Sequence, residues 1–365
     1  MSFAGLTFLF FYLPIFFLLY MLTPRKGKDA VLVAGSLLFY AWGDVASLPV
    51  LLCTCLFTGI AGRYAAKSKK AMAIGIAVDL TVLALFKYGS FSAGFPLGIS
   101  FYMFHAVSYL ADVNKRGRPA DSFMEYAVYM CMFPKLLMGP IVCFDDFHRQ
   151  YSDRSCSVEQ IADGAFLFTK GLAKKAVLAA NMASVCQAVW PDASNSLFSA
   201  WLGLLAFGLQ LYYDFSGYSD MARGLGWMLG LDLGLNFDHP YSACSISDFW
   251  RRWHMSLGGW FKKYLYFPLG GSRKGLWRTL VNLMAVWLAT GIWHGNTLNY
   301  LLWGLCLGLL ICFERVTGFA KRVSPAIGWL WTNFWIFLGW VFFNTEDLSA
   351  AISYFSQLFS LQSLR

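Results

Sequence analysis

The sequence is poor in charge. Of its 365 residues, 29 are Lys or Arg and 20 are Asp or Glu, together 13%, where soluble globular domains carry about 25%. It also lacks the usual nucleotide and hydrolase motifs. No GxGxxG follows a strand, and there is no P-loop, no GxSxG elbow and no HExxH. A disulfide framework is missing as well, because the nine Cys are odd in number and none has CxxC spacing. These thiols read as small buried hydrophobes. His239 follows Asp238 with no further ligand at metal spacing, so no metal site is expected.

What is present is apolar. Hydrophobic residues make up 58% and aromatics 18%, with 34 Phe, 18 Tyr and 15 Trp, and the mean hydropathy is +0.52. A water-soluble fold of this size could not hide that much apolar surface. Disorder, a coiled coil, a small secreted module and an ordinary cytosolic enzyme are excluded. The composition specifies an all-α polytopic membrane protein. Its net charge of +9 does not point to nucleic acid, because the basic residues sit in short clusters between apolar runs.

Those clusters set an orientation. The run 5–22 has no basic residue before it and Arg25, Lys26 and Lys28 after it. That is the reverse of a cleaved signal peptide, so it reads as a retained helix with its N-terminus extracytoplasmic. Runs at 30–42 and 45–61 return the chain to Arg63, Lys67, Lys69 and Lys70. Runs at 72–86 and 97–111 return it to Lys115, Arg116 and Arg118. Three basic loops at even spacing agree with one topology. The segment 126–144 carries Pro134 and Pro140 and predicts a broken or re-entrant helix. A long mixed helix or helix pair is expected over 161–190 and a span over 197–213. Over 219–235, Gly226, Gly230 and Gly234 at four-residue spacing predict a helix-packing stripe. Spans follow at 276–293, 298–313 and 326–343, then an interfacial amphipathic segment at 349–361. About nine to eleven membrane helices are expected, in one domain over 1–365. No internal repeat is visible, which weighs against a repeat-built transporter.

The chemistry concentrates late in the chain. His294 lies between two apolar spans, with Gly291 and Gly295 opening room beside it and Asn296 following. An ionisable residue there is either functional or a structural His at a helix turn. From 249 to 313 no acidic residue occurs, while Arg251, Arg252, Lys262, Lys263, Arg273, Lys274 and Arg278 build a positive field. Asp248 reaches Arg251 and Arg252 at helical spacing, with Trp250 between them and His254 just beyond. This stretch suits either lipid headgroups or a phosphate-rich ligand. Asp214, Tyr218, Asp220 and Arg223 read as structural pairing or cavity lining, as does Asn236.

The run from Asp248 through Trp250, Arg251, Arg252, Trp253, His254 and Leu257, continuing from Tyr264 to Gly271, closely resembles the membrane-bound O-acyltransferase (MBOAT) family. So does Ile292-Trp293-His294-Gly295 followed by Trp303-Gly304. Phe133-Pro134-Lys135 with Met138-Gly139-Pro140, and the segment from Tyr213 to Asp220, resemble its bacterial alginate and polysaccharide O-acetylation branch. The likeness runs from the first helix to about residue 345. It implies a ring of helices around a funnel that joins a cytoplasmic donor to an extracytoplasmic acceptor. His294 matches the family's intramembrane His, and His254 a second His. The expected donor is acetyl-CoA or another acyl thioester, with no cofactor bound. Arg251, Arg252, Lys262, Lys263, Asp248 and Trp250 are the expected donor-binding residues. Membrane lipid, an extracytoplasmic partner transferase and a polysaccharide acceptor are the expected partners. D-alanyl transfer from a carrier protein to teichoic acid is a sister activity. A transporter or flippase is the reading from another class. Alginate-type members often continue into further C-terminal helices, which marks a departure at Arg365.

Overall fold

The computed structural model describes residues 2–89, 94–190 and 196–360. Among these, secondary structure is helical apart from an isolated antiparallel bridge between Phe237 and Trp253. Among the described residues, five helices are long and apolar enough to cross a membrane: Leu48–Ala65, Lys69–Tyr88, Gly275–His294, Leu298–Thr317 and Pro325–Asn344. Leu56, Phe10 and Leu330 are among many large apolar side chains that face outward. Such a surface is stable against lipid and not against water. The protein is a multi-pass membrane protein.

The chain divides into two compact units, Met1–Leu172 with Tyr218–Gly234, and Ala173–Gly217 with Leu235–Arg365. The first is built around an aromatic cluster. Phe3, Phe8, Tyr12, Phe16 and Phe39 surround Phe133, with ring centroids 5.1–6.3 Å from it. The expected break falls here. Helix Phe123–Cys131 stops at Met132, whose ψ of 116° is not helical, and Phe133–Leu136 restarts with Pro134 in its first turn. The Ser36 hydroxyl accepts from the freed Phe133 N–H at 3.0 Å, so the interruption leaves that donor satisfied. Helix Ile99–Arg116 buries most of its length, including His105, Ser108 and Asp112.

The glycine stripe of 219–235 is not one helical face. Helix Leu197–Met228 ends before it is complete. Gly230 and Gly234 take φ of +78° and +81°, and the Leu231 N–H returns to the Gly226 carbonyl at 2.8 Å. Gly230 thus closes the helix in a left-handed turn, and Arg223 donates to Asp232 at 3.0 Å beyond it. Periodicity alone did not register that stop.

In the second unit, Gly275–His294 and Leu298–Thr317 form a tight antiparallel hairpin. A Cβ added at Gly304 would stand 2.5 Å from the Trp287 carbonyl oxygen and 3.2 Å from Gly291 Cα. Small residues let these backbones touch. Gly304→Leu is therefore expected to lower the melting temperature of the purified protein sharply. An unchanged melt would mean the hairpin can separate without loss.

Candidate active site

The second unit assembles the two motif histidines around one indole. Gly275–His294 ends at its own histidine, and Gly295 continues in extended conformation. The half-buried His294 ring lies 4.6 Å from Trp293, 5.1 Å from Trp303 and 5.1 Å from Phe343. Tyr300 lies nearly parallel to it at 6.3 Å. The Asn299 amide donates to the carbonyl and hydroxyl of Thr345, at 3.1 and 3.0 Å. That tie fixes the loop after His294 to the end of Pro325–Asn344. The glycines beside His294 serve packing rather than access. A Cβ at Gly291 would meet the Tyr300 carbonyl, and one at Gly295 would collide with the Tyr300 ring.

His254 sits between Ile246–Arg252 and Met255–Phe261, in a left-handed conformation with φ of +46°. It is buried, edge-on to Phe215 at 4.7 Å, with Trp293 at 6.5 Å. Trp293 is thus the neighbour common to both histidines, a role no sequence pattern announced. Asn236 lies at hydrogen-bond distance from the His254 ring.

A cavity of about 710 Å³ opens beside this group. Trp250 and Met255 line it, so the residue following His254 forms part of its wall. Trp250 in turn packs on Trp287 at 4.9 Å and on Trp303 at 5.5 Å, and Trp303 packs on His294. Four exposed cations border the space: Arg251, Lys262, Arg315 and Lys321. None of the four is in an ion pair among the described residues. Gly258 and Gly259 leave part of the wall bare, since a Cβ at Gly259 would meet nothing within 4 Å. The acid at the rim, Glu314, is already engaged. It accepts from Ile246 N–H at 2.8 Å and from the Ser247 N–H and hydroxyl, each at 3.0 Å. It therefore caps the positive end of Ile246–Arg252 and leaves the cavity cationic.

The expected donor residues separate accordingly. Arg251, Lys262 and Trp250 line the cavity. Arg252 is held by Asp248 at 2.9 Å, and the Lys263 ammonium lies 5.0 Å from the Tyr264 ring centre. Arg315, in the last turn of Leu298–Thr317, and Lys321 also line the cavity. Asp214 pairs with Lys175. Asn296 is exposed on the loop after His294. Tyr218 and Asp220 belong to the first unit, where Tyr218 stacks on Phe3 at 4.7 Å. A further cluster there, Asp121, Glu125 and His148, has metal-like spacing. Its imidazole, however, is engaged by Glu125 on Nδ1 and by Arg116 on Nε2, the latter at 2.7 Å. A guanidinium in that place opposes a cation.

The arrangement offers imidazoles in an aromatic setting beside a cationic cavity, which suits acyl transfer from a phosphate-bearing donor. The family model for MBOAT, the membrane-bound O-acyltransferase family, matches residues 105–345, which include both histidines and the whole cavity. A probable alginate O-acetylase of Pseudomonas putida is 36% identical over 99% of this chain and 80% of its own length. The peptidoglycan O-acetyltransferase of Helicobacter pylori is 32% identical over 94% of this chain and 77% of its own. The teichoic acid D-alanyltransferase of Bacillus subtilis is 26% identical over 66% of this chain and 63% of its own. The chain belongs to the membrane-bound O-acyltransferase family and is an O-acyltransferase.

Proposed function

We propose that the protein takes an acetyl group from acetyl-CoA on the cytoplasmic side and delivers it for O-acetylation of an exported or cell-surface polysaccharide. The observation that carries this reading is the cationic, glycine-walled cavity next to His254. Four cations suit the several phosphates of a coenzyme better than the single phosphodiester of a carrier protein's arm. Arg251 and Lys262 belong to a basic, acid-free stretch, which agrees with a cytoplasmic face. The polysaccharide is inferred from the relatives that act on alginate and peptidoglycan. An extracytoplasmic partner transferase would complete delivery.

In the reaction, the acceptor hydroxyl oxygen bonds to the thioester carbonyl carbon and the carbon–sulfur bond breaks. His294 takes the hydroxyl proton and returns it to the departing thiolate, which leaves as the thiol. His254 orients the donor, while Arg251, Lys262, Arg315 and Lys321 hold its phosphates.

The test is transfer in proteoliposomes, with radiolabelled acetyl-CoA on one side and glycan plus candidate partner on the other. Covalent label on the glycan supports the proposal. Passage of unmodified substrate would make the protein a transporter, and label arriving only from a D-alanyl carrier would move it to the teichoic acid activity.

Two variants probe the donor cavity. Gly259→Leu places a side chain in open space on a helix, so the fold should hold while the KM for acetyl-CoA rises about tenfold or more. Arg251→Ala should also raise that KM, by about three- to tenfold, with a weaker dependence on salt. If both leave donor KM unchanged, the cavity is a lipid-headgroup site.

A further inference from the structure

Asn236 holds the segment around His254 in two ways, its side chain reaching the His254 ring and its backbone carbonyl the neighbouring Met255 N–H. The Asn236 Oδ1 receives the Ser256 N–H at 3.1 Å and the Ser256 hydroxyl at 2.9 Å, and lies 3.2 Å from His254 Nδ1. A backbone N–H can only donate, so the amide atom facing it is the oxygen and the orientation of Asn236 is fixed. An oxygen facing Nδ1 calls for the ring proton on Nδ1, because two lone pairs would repel. In a neutral imidazole the other nitrogen then carries the lone pair. That nitrogen, Nε2, is buried and has no hydrogen-bond partner among the described residues.

The backbone holds the same geometry. Met255 N–H donates to the Asn236 carbonyl at 2.9 Å, and Asp238 N–H donates to the Arg252 carbonyl at 2.9 Å. Phe237 and Trp253 pair between them. A left-handed conformation at a non-glycine residue costs about 1–2 kcal/mol, and this clamp supports it at His254. Both residues lie in the second unit.

We propose that Asn236 is a positioning residue for the acyl-transfer reaction. It sets His254 as the Nδ1–H tautomer and presents Nε2 as an acceptor toward the reacting groups. A ring set this way receives an O–H or N–H from acceptor or donor and cannot donate to the thioester carbonyl. The role resembles that of any group that fixes a catalytic imidazole through its other nitrogen. This inference rests on the acyl-transfer reading above.

The test combines a spectroscopic and a kinetic measurement on the full chain in lipid. In protein carrying ¹⁵N-histidine, the His254 signals are identified by their loss in His254→Gln. We expect a protonated Nδ1 and an unprotonated Nε2 in the wild type and a protonated Nδ1 in Asn236→Asp, which keeps the acceptor oxygen. In Asn236→Leu the proton should move to Nε2. Per folded molecule, Asn236→Leu should lower kcat by about 10²-fold or more with donor KM nearly unchanged. Asn236→Asp should stay within about tenfold of the wild type. A proton on Nε2 in the wild type overturns the proposal, as does an Asn236→Leu protein with unaltered tautomer and rate. If Asn236→Leu fails to accumulate, the wild-type and Asn236→Asp spectra still decide. If the wild type transfers no acetyl group, the acyl-transfer reading falls, while the spectra separately answer for Asn236.

Discussion

Replacing His294 by Ala is expected to abolish acetyl transfer, by about 10²–10⁴-fold in kcat, while the protein inserts and accumulates normally. The ring is half-buried at the end of its helix, and its neighbours are Trp293, Tyr300, Trp303 and Phe343. Tyr300, Trp303 and Phe343 also pack together. Trp303 lies 4.8 Å from Phe343 and Tyr300 lies 5.1 Å from it, so the packing does not depend on the imidazole. The loop itself is tied by Asn299 to Thr345. His294→Gln, closer in shape, should be equally inactive, because an amide cannot take up a proton near neutral pH. Transfer rates normalised to folded protein check both variants. Loss of accumulation with a normal specific rate would return His294 to a structural role.

The second large effect concerns stability. Glu314→Ala is expected to destabilise the protein by about 3–5 kcal/mol, read as a marked fall in melting temperature. One buried carboxylate accepts three hydrogen bonds at the start of Ile246–Arg252. Its removal leaves the first amides of that helix without partners, and this helix carries Arg251 and leads directly into His254. Glu314→Gln keeps an acceptor oxygen and should fall between Ala and the wild type in stability, with a near-normal rate per folded molecule. A stable Glu314→Gln protein that has lost transfer would instead give the carboxylate a chemical role at the cavity rim.

The second of these residues shows where sequence reading stops. Glu314 is the first acid after a long acid-free stretch, and sequence places it just past the span 298–313. Only the fold sets it against Ile246 and Ser247, far away in the chain. Local features were legible: the interruption at Pro134, the hairpin around His294, and the Asp248–Arg252 pair. Each depends on residues within a few turns of one another. The glycine stripe misled because four-residue spacing describes a helical face only while the helix lasts, and Gly230 ends it. For the site, residue type and motif pointed to His254, His294, Arg251 and Lys262. Trp293 as their shared neighbour, Asn236 as the clamp, and Arg315 and Lys321 at the cavity arise from long-range packing, which periodicity does not encode.

The most direct measurement is an experimental structure with a non-hydrolysable thioether analogue of acetyl-CoA. The phosphates are expected against Arg251, Lys262, Arg315 and Lys321, with the acyl end directed past Trp250 and Met255 toward His254 and His294. An analogue bound elsewhere, or one whose acyl end points away from both rings, would contradict the account.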